Sequence, residues 1–127
     1  MHLYVLIISL LLPASTLSNP GGITPVDIND PQVQVALKFA VNEYNMMINC
    51  AFWVIEESVA NVTEQVVAGM LFRFYGVVFV PTVCRKMAPF DPKNCPVAEH
   101  PTRTTCDFQV LLGIKDKKEL SHLDCKH

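Results

Sequence analysis

The sequence predicts an α+β domain: one long N-terminal helix packed across a four- to five-stranded antiparallel sheet. Three observations point there. Apolar residues recur at helical spacing from Val33 to Ile48, and two β-branched and aromatic runs follow, joined by a short stretch containing Gly69. Beyond them the chain shows no internal repeat and no second domain, and 127 residues suffice for one modest core.

The helix has the clearest signals. Asp30-Pro31 reads as an N-cap followed by proline at the first helical position. Val33, Ala36, Leu37, Ala40, Val41, Tyr44, Met47 and Ile48 form one face, and Gln34, Lys38, Asn42 and Asn45 take the other. Before it, Asn19 to Asn29 contains Pro20, Gly21, Gly22 and Pro25 without helical periodicity, and reads as an extended, mobile leader.

After the helix, Phe52 to Ile55 with Ser58-Val59, then Met70 to Tyr75, read as a β-hairpin, its second strand reaching about Val80. Gly69 suits a positive φ or a close backbone approach. The tip is unusual in chemistry, since such turns favour Asn, Asp, Ser and Gly, whereas this one holds Val66, Val67 and Ala68. Two readings follow: a continued buried strand, or an apolar loop held out to enter a partner's cleft. Pro81, Pro89, Pro92 and Pro96 mark an irregular segment. Arg103 to Leu112 then alternates as a strand with Cys106, Phe108 and Val110 on one face. Gly113 to Lys118 is turn-like, and Glu119 to Cys125 is a final strand. The one tryptophan, Trp53, is expected in the core.

Leu3 to Leu12 is almost wholly apolar and is followed by the small residues of Ala14 to Ser18, which reads as a secretory signal peptide over residues 1–18, too short to span a bilayer. Residues 19–127 then form the single domain, secreted and extracellular. The formal net charge is −2 with scattered basic residues, so nothing points to a nucleic-acid or anionic-membrane partner, and none is expected. Cys84, Cys95, Cys106 and Cys125 crowd the last third and imply two bridges, for which three connectivities exist; Cys50 is left over. Zinc is disfavoured, because no cysteines have CxxC spacing and His100 and His122 complete no ligand pattern. Nothing assembles a thiolate-stabilising site for a Cys–His enzyme, so neither catalytic residue nor cofactor is expected.

Gln65-Val66-Val67-Ala68-Gly69 resembles, at every fixed position, the Gln-Xaa-Val-Xaa-Gly motif of the cystatins, inhibitors of papain-like cysteine proteases. The resemblance extends over the chain after the signal peptide. Leu37 to Asn45 is similar to the helix of secreted type 2 cystatins, Gly22 falls at their N-terminal glycine, and Asn94-Cys95-Pro96 and Cys106-Asp107-Phe108-Gln109 match further segments. It implies a cystatin-like fold, Cys84–Cys95 and Cys106–Cys125 bridges, and a wedge of three segments that blocks the protease cleft without being cut. Its implied contacts are Gly22, Gln65, Val66, Val67, Ala68 and Gly69, with Gly113 and Ile114 from the second hairpin loop. A monomer is expected, with a domain-swapped or Cys50-linked dimer as the alternatives.

Two segments depart from the family pattern. Where the second loop carries Pro-Trp in the family, this chain has Ile114 and Lys115, and cleavage after Ser18 leaves only Asn19, Pro20 and Gly21 before Gly22. A weakened inhibitor is therefore expected, and the alternative is a non-inhibitory extracellular binding protein of the same fold, with a reproductive or defence role. Asn61-Val62-Thr63 is an N-glycosylation sequon, placing Asn61 on the same strand face as Gln65. Asn49 corresponds to the legumain contact of some cystatins, and its plainer reading is a helix C-cap.

Overall fold

The computed structural model describes residues 21–91 and 94–127; the signal-peptide expectation lies outside them. The order is β1 (Ile23–Pro25), α1 (Pro31–Met47), β2 (Phe52–Val67), β3 (Gly69–Arg85), β4 (Thr104–Gly113) and β5 (Lys118–Lys126). The strands form one antiparallel sheet in chain order, β1-β2-β3-β4-β5, with α1 packed on one face. No helix among the described residues is long and apolar enough to cross a membrane.

The helix begins as its sequence dictates. Asp30 accepts from the Gln32 N–H at 2.9 Å and Pro31 occupies the first turn. Val33, Ala36, Leu37, Ala40 and Tyr44 are buried against Val54, Val62, Phe72, Phe74, Phe79, Phe108 and Val110 of the sheet. Tyr44 stacks on Phe79 at 4.1 Å, and Phe74 on Phe108 at 5.1 Å. Burial pushes the Tyr44 phenol above its ordinary range.

Two helix positions differ from the amphipathic reading. Met47 is exposed, and Asn45, assigned to the solvent side, is 3% exposed. Its side-chain amide donates to the Val54 carbonyl and accepts from the Val54 N–H, both at 2.8 Å, which closes part of the free edge of β2. The helix ends at Met47 with Ile48 as C-cap, so Asn49 is not the cap; the Lys86 ammonium, reaching the Asn45 and Ile48 carbonyls, caps the end instead.

The same Asn45 contacts explain why β3 runs past Val80 and through Pro81. Val54 stands opposite Pro81, and both of its backbone groups point away to Asn45. The pair exchanges no ladder hydrogen bond, so the missing proline N–H costs nothing there, and the Pro81 carbonyl accepts from Ala98 at 3.0 Å. Trp53 is half-buried rather than in the core. It packs on Phe90 at 4.9 Å and donates to the Ala88 carbonyl at 3.3 Å, holding down the segment after β3.

The bridges are Cys84–Cys95 and Cys106–Cys125. Each closes a loop short enough to stabilise the fold by about 3 kcal/mol in the chain-entropy picture. Cys50 is free and packs against the core edge.

Candidate functional site

The first hairpin is tighter than its sequence suggests. β2 continues to Val67 and β3 begins at Gly69, leaving Ala68 alone at the turn. Yet the strand is not buried here: Val66 is 53% and Val67 41% exposed, and Ala68 is exposed. Of the two readings of this stretch, the projecting apolar tip is the one observed. Gly69 serves both roles foreseen for it. Its φ is +115°, and a Cβ there would collide with the Leu112 carbonyl and lie 2.7 Å from the Gly113 Cα.

That close approach sets the second hairpin beside the first. Gly69 pairs with Gly113, the last residue of β4, and the chain turns through Ile114 to Lys117. The turn is closed by Gly113 N–H to the Lys117 carbonyl at 2.7 Å, with Lys115 and Asp116 in the left-handed region. Ile114 projects from it, 67% exposed.

On the opposite flank, part of the leader is ordered as β1. Ile23 pairs with Gln65, Thr24 with Glu64 and Pro25 with Thr63, so Gly22 and Gly21 run on toward Val66 and Val67. Gln65 ties this flank down: its Nε2 donates to the Gly21 carbonyl at 2.6 Å and its Oε1 accepts from Arg73 Nη1 at 2.8 Å. Composition did not show this. Gln65, expected as a contact, spends its side-chain polar groups on bracing the leader against β3, a role visible only once Gly21 and Arg73 are brought together.

The leader, the Val66–Ala68 tip and the Ile114 turn thus lie side by side at one end of the sheet. The tip itself carries no charged side chain. Asn49 stands apart at the other end of the 16-residue β2, exposed beyond the helix. Asn61 is exposed in β2 on the face that also bears Thr63 and Gln65, opposite buried Val62. A groove of about 530 Å³ runs between α1 and β2 and is lined by Val35, Leu37, Val41, Ile55 and Phe90 among others, with no Ser, Cys or His in its described lining. No three His, Cys, Asp or Glu side chains among the described residues are grouped to hold a metal ion.

An arrangement of this kind has surface and rigidity to offer, and no nucleophile. Apolar side chains on a preformed hairpin lose little entropy on docking and gain about 25 cal/mol per Å² of apolar surface buried.

Comparison with known proteins gives a consistent picture. The Cystatin domain family profile matches residues 21–112. The chain is 38% identical to a cystatin of Naja kaouthia and 35% identical to one of Pseudonaja textilis, each over 125 residues, covering 91% of this chain and 86% of the relative. Among solved structures, dimeric human cystatin F superposes with a TM-score of 0.76 at 23% identity, covering 87% of this chain and 90% of that one. Al-CPI superposes with a TM-score of 0.70 at 27% identity, covering 84% and 98%.

Proposed function

The chain belongs to the cystatin family, and from that premise we propose that it is a secreted, reversible inhibitor of papain-like cysteine proteases of the cathepsin type. The observation that carries this is the exposure of Val66, Val67 and Ala68 between the leader and Ile114, at one edge and with no charge on the tip. The tip enters the cleft; Gly22 and Ile114 flank it; Gly69, Gly113 and Gln65 hold the three segments in place. Secretion is supported by two bridges and an apolar N-terminal run.

The test is titration of the purified mature protein against papain and cathepsins L and B. An exopeptidase such as cathepsin B partly covers its cleft, so an inhibitor must displace that cover with its strongest contacts. With Pro-Trp absent and a short leader, inhibition of papain and cathepsin L is expected, with cathepsin B bound at least about tenfold more weakly. Equal affinity for all three would show that the altered segments are immaterial, and no inhibition of any would favour the non-inhibitory binding protein.

Within that reading Ile114 is the second loop's apolar contact. Burying its exposed part contributes about 1 kcal/mol, so Ile114→Ala is expected to weaken papain inhibition about fivefold. The inhibition constant measures it, and an unchanged value would remove Ile114 from the contact set.

A further inference from the structure

We propose that Asn61 carries an N-linked glycan whose first sugar packs on the ring of Tyr75, making the outer face of the sheet a resting surface for the protein's own carbohydrate. The proposal rests on the secretory part of the reading above and is independent of protease binding.

Asn61 and Thr63 complete a sequon in the middle of β2, and Asn61 is exposed. Its register partner on β3 is Tyr75. Directly opposed residues of antiparallel strands project from the same face with Cβ atoms about 4.5–5.5 Å apart. Here that face is the outer one, because their neighbours Val62 and Phe74 are buried beneath α1. Tyr75 is 39% exposed and makes no ring contact among the described residues, so its aromatic face stands open beside the attachment nitrogen.

The backbone beside Tyr75 is held in place. β3 bulges between Phe74 and Val77, Gly76 takes φ +62°, and its N–H donates to Asp107 Oδ1 at 2.8 Å. A Cβ at Gly76 would lie 2.7 Å from the Ala60 Cβ, which keeps β2 and β3 close beside the sequon. A pyranose presents a face of C–H groups that suits an aromatic ring, while its hydroxyl and acetamide groups need polar partners. Those partners lie on β3 itself and on the two strands beyond it. Strands are ~4.8 Å apart, so a sugar on Tyr75 brings the next toward β4. Arg73 of β3, Asp107 and Gln109 of β4 and His122 of β5 border, together with Tyr75 itself, a shallow depression of about 170 Å³. The attachment point, Asn61, lies four strand residues, about 13 Å, from Gln65 and further still from the Val66–Ala68 tip.

The test uses the protein secreted from a eukaryotic host. Peptide mapping is expected to find Asn61 modified, and proton spectra to show the first N-acetylglucosamine shifted upfield by a ring current. Enzymatic removal of the glycan is expected to lower Tm by roughly 4 °C, as loss of one aromatic contact does in a domain of this length. In Tyr75→Ala that drop disappears, whereas Tyr75→Phe retains it. Asn61→Gln leaves papain inhibition unchanged. An unmodified Asn61, unshifted sugar signals, or an equal Tm drop in Tyr75→Ala would each overturn the proposal. The spectra of the native chain decide it even where a variant fails to fold, and absence of a glycan would leave inhibition untouched.

Discussion

Val67→Asp is expected to fold like the native chain and to lose protease inhibition. Val67 is 41% exposed, next to the single-residue turn at Ala68, and it belongs to no core cluster. Few packing contacts are lost, so Tm stays within a few degrees. In the complex, a carboxylate forced into a water-poor cleft without a partner costs roughly 3 kcal/mol or more, which is above a hundredfold in affinity. Thermal denaturation and papain inhibition on one preparation check both halves. A folded variant that inhibits like the native protein would refute the wedge assignment, and an unfolded one would place Val67 in the core.

The second large effect falls on stability. Asn45→Ala is expected to remove about 3 kcal/mol, because the Val54 N–H and carbonyl lose their shared partner inside the structure. In a domain of this size that lowers Tm by roughly 12 °C. The neighbouring exposed Asn42→Ala serves as control and is expected to change Tm by no more than a few degrees. A loss under about 1 kcal/mol for Asn45→Ala would mean that water replaces the amide at the β2 edge.

Asn45 also marks what the sequence could and could not show. The helix start was legible because Asp30 and Pro31 act within one turn of their own positions, and the β4 face because Cys106, Phe108 and Val110 alternate. The apolar tip was legible because Val66, Val67 and Ala68 violate turn chemistry, and such violations concentrate where a surface is functional. Long-range partners were not. Asn45 fits a solvent face by spacing and is buried only because β2 folds back to it. Pro81 signals an end to a strand until Val54 is seen turned away from it. Trp53 was expected in the core from its place on the strand after the helix, and Phe90, 37 residues later, draws it to the periphery. The place of Gln65 between Gly21 and Arg73 depends likewise on three strands meeting.

The strand order has a consequence for how the chain assembles. Loop-closure entropy grows with the length of chain enclosed, and contacts between near neighbours form first. β2 and β3 meet across Ala68 alone, and β4 and β5 across Ile114 to Lys117. Both turns at this end of the sheet are therefore short closures and are expected to zip on the microsecond scale of hairpins. Joining the two hairpins encloses residues 86–103, a slower step that brings Gly69 onto Gly113. β1 comes last, since its three residues reach β2 only after all of α1 has been enclosed. The edge that would meet a protease is thus shaped early, and the leader is the part that can open and reclose while the rest of the sheet stays folded.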